Sequence, residues 1–229
     1  MDATLPAPAH QPPAARRLPT VVWWPVGLLA VSVVAFFPTY FGRMPGFAGT
    51  SGAVHFHLAT MIAWMALTIV QPILISRRQV ALHRALGRAT YLLLPVIALG
   101  FAMILRDGQL RHKEPELILA TGFDAGMFFF LAGMGLFYRR RREYHGPLMM
   151  MSLLPFLNPT LGRLVAPGAG VPVELVVMIV LLVRARRRGH VTRPYVLALA
   201  CFLVASAILA VLMGAAPGVS ETLWRLLTG

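Results

Sequence analysis

Apolar residues in this chain come in seven long runs separated by short polar segments, at about 20–37, 53–75, 85–105, 117–138, 147–166, 171–183 and 194–213. A helix needs ~20 mostly apolar residues to cross ~30 Å of hydrocarbon at ~1.5 Å per residue, so seven spans with their loops consume nearly the whole chain. The pattern predicts an all-α fold, a polytopic membrane helical bundle of seven transmembrane helices. Residues 1–19, rich in Pro and Ala, read as a disordered cytoplasmic tail. The transmembrane domain is expected over 20–214, with helices two to five, about 53–166, as its core, and 215–229 as an outer interfacial tail. The first run is longer than a signal-peptide core and precedes no obvious cleavage site, which makes it a retained anchor. The seventh is apolar all round apart from Cys201 and Ser206 and is expected at the periphery.

Composition and charge then fix an orientation. The chain is 58% hydrophobic and 13% charged, and the charges cluster between the apolar runs where a soluble domain would spread them. Fifteen of the 21 Lys and Arg residues lie at 16–17, 77–88, 139–142, 184–188 and 193, that is, on alternate connections. Because cytoplasmic loops carry the basic excess, the N-terminus is expected inside and the C-terminus outside, in a bacterial inner membrane. A net charge of +13 in a soluble protein would suggest nucleic acid. Here the basic residues flank apolar helices in short loops, so the partner they imply is the lipid bilayer, not nucleic acid. The single cysteine, Cys201, allows neither an intrachain disulfide nor a Cys-based metal site. Retinal chemistry is set aside because Lys113, the one lysine, falls in an outer loop.

Polar residues in hydrocarbon are costly and are therefore the candidates for function. Near the inner face lie Gln71, His83, Arg84, Arg88 and His145; near the outer face lie His55, His57, Asp124, Arg163 and Glu174. Two residues apart on a helix, His55 and His57 point ~200° away from each other and do not readily share one ion. His57 shares a face with Thr60, Trp64, Thr68 and Gln71, a polar and aromatic stripe suited to the bundle interior, and a hydrogen bond from His57 to Asp124 is the simplest structural use of that pair. The fifth span carries Pro155, Asn158, Pro159, Gly162 and Arg163 and should be kinked or locally unwound. His83 and His145 each open a span at the inner face. Two such histidines on facing helices suit the axial positions of one haem b, with Arg84 and Arg88 as cations for the propionates.

The stretch His83-Arg84-Ala85-Leu86-Gly87-Arg88-Ala89-Thr90-Tyr91 resembles the His-Arg-x-x-Gly-Arg-x-x-Tyr motif of an uncharacterised bacterial family of multi-pass membrane proteins. Pro38-Thr39-Tyr40-Phe41-Gly42, His57, Gln71, Asp124, His145 with Leu148-Met149, and Arg163 fall in the order that family shows. The family is similar in layout to transmembrane b-type cytochromes of the ascorbate- and ferric-reductase kind. The resemblance implies haem ligation by His83 and His145 and a quinone or other redox partner. Gly146-Pro147 departs from the residues expected after the second histidine, and the fourth span has no histidine to partner His57, which leaves room for one haem and not two. The competing expectation is a non-redox membrane protein, an assembly factor or small transporter, with an outer polar site of His57, Gln71, Asp124 and Arg163. An intramembrane zinc hydrolase built on His57 and Asp124 lacks a third ligand. No catalytic residues are assigned.

Overall fold

The computed structural model describes residues 18–112 and 116–215, with Gly218, Thr222, Arg225 and Leu226. The expected tail at 1–17, Lys113 and most of the outer tail lie outside the described residues. The described residues form eight α-helices and no strand: α1 (Trp23–Phe36), α2 (Gly52–Ser76), α3 (Val80–His112), α4 (Glu116–Phe137), α5 (Arg142–Met151), α6 (Leu157–Leu164), α7 (Gly170–Arg187) and α8 (Arg193–Ala215). Helices α2, α3, α4 and α8 are long and apolar enough to cross a membrane, and α1 with the 3₁₀ turn before it is a shorter apolar helix.

The surface supports a lipid setting for these helices. Only 17% of the apolar window of α3 and 11% of that of α8 is buried within the protein. Leu92, Val204 and Val211 are more than half exposed, an arrangement that water disfavours and hydrocarbon does not. The molecule is in this respect compatible with an integral membrane protein.

The fifth apolar run is broken, as its prolines predict. α5 stops at Met151, a 3₁₀ turn covers Leu154–Phe156, and α6 resumes at Leu157. Pro155 and Pro159 have no N–H with which to continue the ladder, and Ser152 and Leu153 close the end of α5 by donating to Leu148 and Met150 carbonyls. The sixth run forms α7, which extends beyond 171–183 to Arg187. Its last turn is basic, and cations stabilise the negative end of a helix dipole while their stems cover apolar surface. α3 also exceeds its expected span at both ends, so His83 lies within its first turn and the segment after Asp107 remains helical to His112.

Two turns set helices side by side. After α2, Gln79 N–H donates to the Leu74 carbonyl at 2.8 Å and Arg78 takes a positive φ of 61°, a left-handed cap that reverses the chain in three residues. After α7, His190 N–H donates to the Ala185 carbonyl at 2.9 Å with Gly189 at φ 66°. The first turn makes α2 and α3 antiparallel neighbours along their length, and it is the reason Gln71 reaches His83 and Gly87.

The core centres on α4. Phe128, Leu131 and Ala132 are fully buried against Trp64 of α2, Leu148 and Met151 of α5, and Leu153 and Leu154 of the broken segment. Trp64 meets Phe128 edge-on at 5.1 Å and donates its indole N–H to Ser152 Oγ at 3.1 Å. α8 is more central than its uniformly apolar sequence suggests. Ala198 and Phe202, one turn apart, are buried against α4, and Phe202 packs on Phe123. A stripe that narrow on a helix apolar all round leaves no periodicity to read.

Candidate functional site

The Arg-rich end of the bundle gathers the first set of polar groups. Gln71 is in the penultimate turn of α2, His83 and His145 are in the first turns of α3 and α5, and Gly135 is in the last turn of α4. The imidazoles of His83 and His145 face each other with ring centroids 6.3 Å apart and planes at 86°. Three elements hold them there.

His145 is fixed by α4. The last carbonyls of a helix have no partner within it, and that of Gly135 accepts from His145 Nδ1 at 2.8 Å. Glycine is needed at 135, because a Cβ would lie 2.7 Å from Met149 Sδ and 3.2 Å from the Met149 backbone nitrogen. The missing side chain lets α5 approach closely enough for this bond to form. A carbonyl can only accept, so the Nδ1 of a neutral His145 carries the proton and Nε2 keeps its lone pair.

His83 is held by α2. The Gln71 amide lies against His83 Nδ1 and can present either end. With its nitrogen toward the ring it donates to Nδ1 and to the His83 carbonyl, while its oxygen accepts from Gly87 N–H at 3.1 Å. That orientation satisfies every neighbour and leaves the proton of a neutral His83 on Nε2. With its oxygen toward the ring it accepts from Nδ1–H, and the lone pair moves to Nε2. Gln71 therefore sets the tautomer of His83, which is what an outer partner of a metal-binding histidine does.

His145 therefore keeps the lone pair on Nε2, whereas His83 does so only when Gln71 turns its oxygen to Nδ1. The neighbouring rings of His83 and His145 would suit a bis-histidine iron only once Gln71 presents its oxygen to His83. Arg84 and Arg88 are exposed on the second and third turns of α3, free to meet anionic groups at this face.

The opposite half of the bundle holds the second set, and here the structure regroups the expected residues. His55 and His57 diverge as their spacing requires. His55 Nδ1 bonds the Tyr40 hydroxyl at 2.7 Å, whereas His57 packs on Phe101 of α3, with ring centroids 4.9 Å apart and its buried Nδ1 without a hydrogen-bond partner. Thr60, Trp64 and Thr68 on the His57 face are buried, as the stripe predicts. Asp124 does not bond His57. Its carboxylate oxygens accept from Asn158 Nδ2 at 3.1 and 3.2 Å. Arg163 does not join Asp124 either: it donates to the Pro159 carbonyl at 2.9 Å and lies 4.1 Å over the Phe36 ring. Gln71 belongs with His83, at the far end of the molecule from Asp124.

Asn158 and Glu174 are the members of this set that the sequence does not rank. In the sequence Asn158 accompanies two prolines as a helix interruption, and Glu174 is one acid among several polar residues near the outer face. Glu174 is fully buried, and neither of its carboxyl oxygens has a hydrogen-bond partner. Among the described residues no three His, Cys, Asp or Glu side chains converge as a metal cluster would require. No protein-family model matches the chain, and no curated protein or solved structure matches it.

Proposed function

We propose that the chain is a membrane electron carrier in which His83 and His145 hold a single haem b at the Arg-rich face. The observation that carries this reading is the imidazole pair itself, 6.3 Å apart, with Nδ1 of each ring engaged by Gln71 or by the Gly135 carbonyl. Haem would supply a one-electron centre. The chain's own contribution is to orient the two rings and fix their tautomers; Arg84 and Arg88 offer charge to the propionates. On this reading the seven apolar runs are seven spans, with α5, the 3₁₀ turn and α6 together forming the fifth. The Arg-rich face is then cytoplasmic in a bacterial inner membrane, and a quinone or other redox protein is the exchange partner.

The test is an optical spectrum of detergent-purified protein from haem-replete cells, oxidised and dithionite-reduced, for wild type, His83→Ala and His145→Ala. A reducible Soret band present in wild type and lost in both variants is the expected result. Colourless wild-type protein sinks the proposal.

A further inference from the structure

A second binding site lies in the other half of the bundle, and its argument does not rest on haem. It begins with Gly170, the first residue of α7. A Cβ there would run into the backbone and Cβ of Asn158, so only glycine lets the start of α7 close onto the start of α6. Glu174 is one turn further along α7 and therefore on the same face as Gly170. That close approach carries Glu174 into the interior, fully buried one turn from the contact of Gly170 with Asn158, which itself bonds Asp124. The result is three oxygen-bearing side chains from α4, α6 and α7. Asn158 uses its amide nitrogen on Asp124, and its own Oδ1 is buried without a partner, as are both oxygens of Glu174.

Among the described residues no cationic side chain forms a hydrogen bond or ion pair with Asp124 or Glu174. Arg163, the one cation on α6, is turned to Phe36, and α1 contributes no charge. The charged residues of α7 other than Glu174, and Arg193 of α8, lie at the opposite end of their helices. α5 keeps His145 at that end as well, and α3 keeps His83 there; toward the other end α3 carries Arg106 and Asp107, and Asp107 accepts from the Ser51 hydroxyl. Two carboxyl groups out of water and without a cation bonded to them cost several kcal/mol or more if both are bare anions. Buried hard oxygen donors are what a small cation binds. Ser206 of α8 has a buried hydroxyl oxygen without a partner, about 13 Å from the outer end of its helix by helical rise, and Asp124 is about 12 Å from the start of α4.

We infer that Asp124, Asn158 and Glu174 form an intramembrane site for one small monovalent cation, with a carboxylate, a carboxyl and an amide oxygen as its donors. A sodium ion fits this donor set. Purified full-length protein is treated with dicyclohexylcarbodiimide, which reacts with protonated carboxyls in apolar surroundings, and adducts are located by mass spectrometry between pH 6 and 9. Adduct at Glu174 or Asp124 that sodium chloride suppresses several-fold, and choline chloride does not, identifies sodium. Adduct indifferent to sodium, whether or not it falls as pH rises, reports only a protonatable carboxyl and overturns the inference. Melting temperature is read in parallel, with Glu174→Gln and Asp124→Asn as variants that keep shape and remove charge; a sodium-specific rise of wild type that both variants lose also supports the site. The inference is also overturned by no adduct together with no sodium-specific rise.

Discussion

Gln71 is the residue on which the chemistry of the Arg-rich face turns. Its amide offers His83 either a donor or an acceptor, and only the acceptor leaves Nε2 free for iron. A carboxylate can only accept, so Gln71→Glu should retain pigment and lower the reduction potential, because a charged partner on Nδ1 makes the ligand more electron-rich. Gln71→Leu should weaken haem retention about 10-fold or more, the usual loss when such a partner is removed. Redox titration and haem content after gel filtration read both effects, and a potential that rises in the Glu variant contradicts the assignment. Ser152 has a separate, structural part. Its hydroxyl is the acceptor for the buried Trp64 indole N–H, so Ser152→Ala should cost about 1–3 kcal/mol and leave the spectrum unchanged, as measured by melting temperature and absorbance together.

Two glycines decide how the helices meet, and each controls one site. A Cβ at 170 meets the backbone of Asn158, which cannot step aside, whereas a Cβ at 135 meets the Met149 side chain first, at 2.7 Å, and the Met149 backbone nitrogen at 3.2 Å. Gly135→Ala should therefore push α5 away from α4, lengthen the His145 bond to the 135 carbonyl and lose haem ahead of the fold. Gly170→Ala should destabilise by about 1–3 kcal/mol through overpacking and leave the haem spectrum intact. If the two substitutions have the same effect on pigment, the two sites are not separate. The sequence shows these helices well and their meeting points poorly. The prolines at 155 and 159 announce the break in the fifth apolar run, and the spacing of His55 and His57 announces that they diverge. Nothing along the chain marks Gly170 among 20 glycines, because its role exists only once α7 lies on α6. The partner of Asp124 was hidden for the same reason. A hydrogen bond between spans depends on which faces meet; α4 is so evenly apolar that periodicity does not reveal its face, and α6, with eight residues, is too short to show which neighbour its face meets.

Across the whole molecule the two polar sites occupy opposite ends of one apolar bundle, the histidine pair at the Arg-rich end and the carboxyl pair toward the other. The helix reading, the clustering of Arg residues and the grouping of His83 with His145 were all legible from the pattern of polar and apolar positions, since each follows from span length and alternation of loops. Membrane orientation follows from the same alternation and is tested directly. In a Cys201→Ser background, Ala48→Cys in the connection before α2 should react with an impermeant maleimide added to intact cells, and Arg140→Cys in the Arg run after α4 only after the membrane is opened. The reverse pattern contradicts the orientation. The central claim concerns the histidine pair, and electron paramagnetic resonance of the ferric protein tests it most directly, because near-perpendicular axial imidazoles split the iron orbitals differently from parallel ones. With ring planes at 86°, wild type purified from haem-replete cells should give a strongly anisotropic low-spin signal that disappears in His83→Ala and in His145→Ala. A ferric protein without a low-spin signal, or one whose signal survives either substitution, contradicts the account.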